Sequence, residues 1–267
     1  YNVISLDNYF AGSKENHVDG VEYREGHTKD IAEHISETPD IIFHLGEYSR
    51  VAPSIKEPEK VWDLNIHGSL AVLEFWRAKR CKLVYSSSST KFAFEREDRV
   101  EGQHRAPYSW GKAKITELIQ NYGLWYDLPY SIAYFYSVYG PGERAGQFDC
   151  WYGTVVETFK QCFLAGTHCS INGSGEQTRA FTHVDDTVDA LVLIAEKGAS
   201  DEYSLSAKEV YSLLDLAKMF GLEIQFNEAT KTTRSSGAND TTKLELLGWK
   251  QKRKLEDYIE EVKSQKK

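Results

Sequence analysis

Tyr108 and Lys112 stand four residues apart, and the run Ser86, Ser87, Ser88 and Ser89 lies upstream of them. On a helix, positions i and i+4 project from one face. The Lys112 ammonium would then lie beside the Tyr108 phenol and favour its ionised form. A phenolate with a serine hydroxyl next to it can take the proton from a sugar or alcohol hydroxyl while hydride leaves the same carbon. That is alcohol-to-ketone redox chemistry, and the hydride needs a nicotinamide to receive it. The spacing alone is weak, because in a chain with 16 tyrosines about one chance match is expected from composition. The plain alternative is a packed Tyr108 and an exposed Lys112 on an ordinary amphipathic helix.

The elements around these residues strengthen the chemical reading. Lys82-Leu83-Val84-Tyr85 reads as a short buried strand with the serine run at its carboxyl end, the edge where ligands bind in open α/β sheets. Pro107 precedes Tyr108 and suits a helix start, so residues 108–126 read as a helix. Residues 3–6 and 41–44 read as strands and 28–36 as a short helix between them. Residues 58–80 carry Val61, Leu64, Ala71, Val72, Phe75 and Trp76 at helical spacing. A further strand at 130–136 closes in the turn Tyr139-Gly140-Pro141-Gly142. This strand–helix alternation predicts an α/β fold with a parallel sheet covered on both faces. Beyond Gly142 the pattern loosens into helices at 154–165, 184–197, 213–220 and 255–262.

Bulk properties exclude several classes. The chain has 267 residues, a 41% hydrophobic share and a net charge of −8, which fits a packed globular protein and disfavours a nucleic-acid partner. No 18-residue apolar span suggests a membrane segment. Cys81, Cys150, Cys162 and Cys169 show no metal-ligand or redox spacing and read as reduced thiols of a cytoplasmic protein. Asp7 closes the first strand and is followed by Asn8. A carboxylate there can accept hydrogen bonds from the two hydroxyls of an adenosine ribose. Alternatively, Asp7-Asn8 is a turn. The Tyr108–Lys112 pair favours the ribose contact.

Seven segments in order carry a resemblance to a known family. They are Val3-Ile4-Ser5-Leu6-Asp7-Asn8, Phe43-His44-Leu45-Gly46, Asn65-Ile66-His67-Gly68-Ser69, Val84 to Thr90, Pro107 to Lys112, Val138-Tyr139-Gly140-Pro141-Gly142, and Gly173 to Asp186. From residue 2 to about 250 the chain resembles the extended short-chain dehydrogenase/reductase family, and within it the NAD-dependent nucleotide-sugar epimerases of the UDP-glucose 4-epimerase type. The resemblance implies that Ser88 is the catalytic hydroxyl, Tyr108 the base and Lys112 its electrostatic partner and a ligand of the nicotinamide ribose. It implies Asp7, Asn8, Leu45, Gly46, Asn65, Tyr85, Ser86 and Phe135 at the cofactor, and Ser137 and Arg179 at the substrate. The Arg179 fork would suit a diphosphate. NAD is the implied cofactor, and a UDP-sugar or another nucleotide-diphosphate sugar the implied substrate. The helices 61–76 and 108–126 resemble a pair that forms a homodimer interface in relatives, and otherwise read as sheet-covering helices.

The chain also departs from that pattern. Its first residues already look like the second strand of a Rossmann-like doubly wound sheet, and the preceding strand and Gly-rich loop are absent from the sequence. The expectation is an N-terminally shortened chain with weak or absent NAD binding, in which the Val3 and Lys82 strands lack their shared neighbour. Residues 1–141 would form the Rossmann-like NAD-binding domain. Residues 142–267 would form mainly a smaller α/β substrate domain, with part of 180–200 returning to the first. Ser137 stands where the family usually has asparagine, and His27 where many relatives carry an aspartate near the adenine. Glu47 and Arg50 follow Gly46 and would either pair with each other or read the substrate. Dehydratases and decarboxylases of the family carry acids just after the catalytic Ser or Thr, whereas Ser89 and Thr90 stand here. This favours epimerisation at C4 through a 4-keto intermediate. A ketoreductase using NADPH and a non-catalytic sensor on the same fold are the alternatives, and Asp7 repels the 2′-phosphate that NADPH carries.

Overall fold

A computed structural model describes residues 1–92, 106–144, 153–229 and 239–266. The chain opens with β1 (Val3–Asp7) and β2 (Val21–Glu25), parallel partners in a two-stranded sheet with Asp7 opposite Glu25. A 3-10 turn at Thr28–Asp30 leads into α1 (Ile31–His34), followed by β3 (Ile41–His44). Then α2 (Pro58–Val61) runs through a π-helical stretch, Trp62–His67, into α3 (Gly68–Lys79). Gly68 lets this helix approach the 28–30 turn, since a Cβ there would lie 2.4 Å from Thr28 Oγ1. Next come β4 (Lys82–Ser88), α4 (Pro107–Tyr126) and β5 (Tyr130–Phe135).

β4 sits inside a four-stranded sheet of order β10-β5-β4-β3, where β10 is Asp201–Leu205 and every pairing is parallel. Leu83 and Tyr85 of β4 join the core under α3 and α4, with Leu73, Trp76, Ile115 and Ile119. Val84 points to the opposite face, where Ala190, Leu191 and Ile194 of α6 (Val184–Lys197) cover it. Ile132, Tyr134 and Ala133 of β5 divide in the same way. Side chains alternate across a strand, and strands buried on both faces read as continuous apolar runs. This is why 82–85 and 130–136 were legible as strands. The main sheet therefore recruits α6, β10, and Leu244 and Trp249 beyond them, a longer return than part of 180–200.

The rest of the second half builds its own core. β6 (Val138–Tyr139) pairs with β9 (Thr182–His183), and β7 (Cys169–Asn172) with β12 (Ile224–Asn227). β8 (Thr178–Arg179) pairs antiparallel with β11 (Tyr211–Ser212). α5 (Val155–Ala165), α7 (Leu213–Phe220) and α9 (Leu255–Gln265) pack on these through Val156, Phe159, Leu216, Phe220, Leu255 and Ile259. The short α8 (Thr242–Leu246) instead places Leu244 in the main-sheet core.

Three expectations are corrected here. β2 was not anticipated, because Glu22, Arg24 and Glu25 leave only Val21 and Tyr23 as apolar residues in it. Among the described residues β1 and β3 are each paired on one side only, where β1 and β4 were expected to be. β4 instead lies between β3 and β5, while β1 pairs with β2 alone among the described residues. Cys162 and Cys169 are not reduced thiols but form a disulfide, with Cα atoms 5.9 Å apart. The left-handed turn at Gly166 folds the end of α5 back onto β7 and brings the two sulfurs together. Cys81 is free and buried, and Cys150 lies outside the described residues. No helix among the described residues is long and apolar enough to cross a membrane.

Candidate active site

The carboxyl end of β4 and the first turns of α4 meet at the site. Ala106 is extended, with φ −157°, and Pro107 occupies the first helical turn, the conformation a residue before proline favours. The helix lacks a cap of its own, so the Tyr108 N–H donates to Ser54 Oγ at 3.3 Å. This fixes the helix start against the 53–55 turn. Tyr108 is 7% exposed, and its ring packs with Tyr48, Val61, Phe10, Val51 and Leu64. Ser88 ends β4 opposite Phe135 of β5. Its hydroxyl accepts from Thr90 N at 3.2 Å and Thr90 Oγ1 at 3.0 Å. Among the described residues the Tyr108 phenol has no hydrogen bond, so no Ser88–Tyr108 bond is formed. Hydrogen bonds between catalytic groups commonly tighten only around substrate.

Lys112 lies one turn further along α4 and is 4% exposed, so the exposed lysine of the plain reading is not observed. Its ammonium donates to the Ser86 carbonyl and to Glu47, and lies 4.7 Å from the centroid of the Tyr85 ring. Tyr85 Oη donates to Glu47 Oε2 at 3.0 Å, and the Ser69 hydroxyl donates to Glu47 Oε1. His44 Nε2 lies 2.7 Å from Ser69 Oγ. Burial pulls the His44 imidazole below its ordinary range, and the Lys112 charge adds to this against Glu47. Burial, joined by the Glu47 charge, raises the Tyr85 phenol well above the usual tyrosine range. Glu47 therefore pairs with Lys112, which corrects the expected pairing with Arg50. Arg50 lies within electrostatic reach of Glu143, Tyr108 and Tyr48, and burial pushes its guanidinium down. Sequence reasoning noticed Glu47 but missed this role, since nothing local links it to Lys112.

The other candidate residues fall into two groups. Tyr85, Ser86, Phe135 and Asn65 adjoin the Tyr108–Lys112 region. Ser86 Oγ donates to the His44 carbonyl at 3.1 Å. Asn65 is fully buried in the π-helical stretch and clamps the backbone of Tyr48: its Oδ1 accepts from Tyr48 N at 2.7 Å and its Nδ2 donates to Tyr48 O at 2.9 Å. It thereby shapes the loop holding Leu45 and Gly46, which is exposed beyond β3. Asp7 and Asn8 make overlapping turns through Tyr9 N at 2.7 Å and Phe10 N at 3.0 Å, as the turn alternative required. One Asp7 oxygen remains without a hydrogen bond among the described residues. The Asp7-Asn8 turn delivers Phe10 to the Tyr108 cluster. Ser137 follows β5 in a left-handed conformation, φ 39°, which asparagine tolerates better than serine. Arg179 stands in β8 opposite Tyr211, in the second half of the chain, and donates to the Thr178 carbonyl at 2.6 Å.

Comparison with known proteins places these features in context. A family model described as the NAD dependent epimerase/dehydratase family matches residues 1–206. The chain is 26% identical to UDP-glucuronic acid decarboxylase 1 of Xenopus tropicalis over 97% of its own length, and spans 65% of that protein. It is 28% identical to a dTDP-D-glucose 4,6-dehydratase of Dictyostelium discoideum over 67% of its length, and spans 44% of that protein. The solved UDP-glucose 4-epimerase of Thermotoga maritima, with UDP-glucose, superposes with a TM-score of 0.89 at 26% identity. That match covers 99% of this chain and 91% of the solved one.

Proposed function

The chain belongs to the NAD-dependent epimerase/dehydratase family, and from that premise we propose that it epimerises a nucleotide-diphosphate sugar at C4 through a transient 4-keto sugar. The observation that carries this reading is Tyr108 and Lys112 one helical turn apart on α4, which packs on β4, the strand that Ser88 ends. The residues present fit a dinucleotide. Asp7 keeps one carboxylate oxygen for a ribose diol, Leu45 and Gly46 offer an exposed loop, and Lys112 is a cation beside Tyr85 and Ser86. Bound NAD would supply the hydride acceptor for this chemistry.

The chain's own residues would do the rest. Ser88 orients the C4 hydroxyl, Tyr108 removes its proton and later restores one, and Lys112 stabilises the phenolate between these steps. Arg179 would hold the diphosphate with its planar fork. Ser89 and Thr90 carry no acid to drive elimination or bond cleavage after oxidation, which supports epimerisation. A second reading, decarboxylation of a nucleotide-sugar uronic acid, is favoured by the similarity to UDP-glucuronic acid decarboxylase 1. Incubation with UDP-glucose, UDP-galactose and UDP-glucuronic acid in the presence of NAD, with chromatographic product analysis, separates the two. The expected outcome is an epimer of unchanged mass, and release of carbon dioxide would favour the second reading. Tyr108→Phe should lower kcat by about 10²–10⁴-fold.

The proposal extends to assembly. Trp62 and Trp110 stack edge to face at 5.8 Å. With Leu70, Leu124 and Trp125 they are exposed on α4 and the neighbouring 62–79 helix. An apolar, aromatic face of this kind suits a homodimer.

A further inference from the structure

Glu47 has a burial and a set of partners that the sequence did not connect with the site. Its side chain is 1% exposed, and three donors converge on its carboxylate. They are the Lys112 ammonium, the Tyr85 hydroxyl and the Ser69 hydroxyl. With its hydrogen on Glu47, the Ser69 oxygen is left to accept a hydrogen bond from His44 Nε2. The Lys112 contact makes an ion pair of this carboxylate, and the two hydroxyls complete its donors. Lys112, the cation of that ion pair, also donates to the Ser86 carbonyl. An ammonium has three N–H donors. Glu47 and Ser86 take two of them, and one remains, a single helical turn from Tyr108.

We propose that Glu47 is a positioning residue for this reaction, fixing the Lys112 ammonium between the Ser86 carbonyl and Tyr85 so that its third N–H serves the Tyr108 oxygen. This rests on the reading of Tyr108 and Lys112 given above. Glu47 does not touch the substrate, since its side chain is enclosed. It works through Lys112, and the Tyr85 and Ser69 bonds hold its carboxylate in one rotamer. Glutamine at 47 keeps the volume but turns an amide toward a cation, which releases the ammonium. Aspartate keeps the charge on a shorter stem.

Steady-state kinetics on the NAD-supplemented chain, with its nucleotide-sugar substrate, test the proposal. Glu47→Gln should lower kcat on the order of 10²-fold with KM little changed, because an interaction made only in the transition state is lost. Glu47→Asp should recover about tenfold of that loss. In a Lys112→Met background, Glu47→Gln should add nothing further to the fall in kcat. A folded Glu47→Gln protein with wild-type kcat overturns the proposal and leaves the reaction assignment standing. A wild-type chain that is saturated with NAD and still turns over no nucleotide sugar overturns the assignment, and the proposal with it. If the glutamine variant fails to fold, the aspartate variant decides by kcat and the ¹H–¹⁵N signal of the Lys112 ammonium. A shifted signal with a reduced kcat supports the proposal. A shifted signal with unchanged kcat, or an unshifted signal, contradicts it.

Discussion

Asn65 shows how a single side chain can shape a site from below. Both of its polar atoms bond the Tyr48 backbone, and all of them are buried. Asn65→Ala should leave a buried N–H and C=O unpaired and cost about 2–3 kcal/mol, measured by urea unfolding. At this scale the sequence was informative where the chemistry is local. Tyr108 and Lys112 are joined by helical periodicity, and Ser88 by its place at the end of a strand. It was uninformative where a partner arrives from another element. Glu47 reaches Lys112 only because β3 and β4 are neighbours and α4 covers β4. No spacing rule encodes that encounter. Asp7 lies between these cases, since its turn was readable from Asp-Asn chemistry and its free oxygen was not.

Elements meet the site through their ends. Lys82 begins β4 and donates to the Ile194, Ala195 and Gly198 carbonyls at 2.6, 2.9 and 2.7 Å, capping the carboxyl end of α6. A cation there complements the helix dipole and adds a donor to the carbonyls of the last turn, of which Ile194 O also accepts from Gly198 N. Lys82→Met should therefore destabilise the fold by about 1 kcal/mol. Thermal unfolding of the two proteins checks this, and an unchanged midpoint would contradict it. The elements that were readable in advance bury a regular apolar face. The helix at 184–197 and that at 213–220 were placed with the bounds observed. β2 escaped because its charged positions look like a loop. The π-helical stretch escaped because it keeps an apolar pattern close to that of an α-helix.

At the scale of the molecule, two cores meet along the chain segments that carry the site. Arg144 Nη1 donates to the Phe10 carbonyl at 3.0 Å, and Asn16 Nδ2 to the Gly142 carbonyl at 3.3 Å. The loop after β1 is thus tied to the second half of the chain. Buried imidazoles give the whole fold a pH dependence. Burial holds His44, His183 and His27 below the ordinary histidine range. Unfolded histidines take up a proton near pH 6.5, while in the folded chain these take one up only at lower pH. Stability is then flat above about pH 7 and falls below about pH 6.5, by up to about 1.4 kcal/mol per pH unit for each group. Glu143, raised by burial, acts in the opposite sense, since its folded form gains a proton first as pH falls. One carboxyl group offsets only part of three histidines. The unfolding midpoint should drop between pH 6.5 and 5.5, and a constant or rising midpoint would contradict this account. The α/β class and the parallel sheet were legible from strand–helix alternation. The edge at β1 was expected, but that the other falls at β3 and not at β4 was not legible, because strand order is a tertiary property.

The account turns on Tyr108, Ser88 and Lys112 carrying out a reversible oxidation at one sugar carbon. Its most direct test is to supply UDP-glucose deuterated at C4 with unlabelled NAD and analyse the product by mass spectrometry and NMR. The account predicts the C4 epimer with the deuterium still on C4, and loss of that conversion in Tyr108→Phe. Deuterium washed out of C4, or full conversion by Tyr108→Phe, would contradict it.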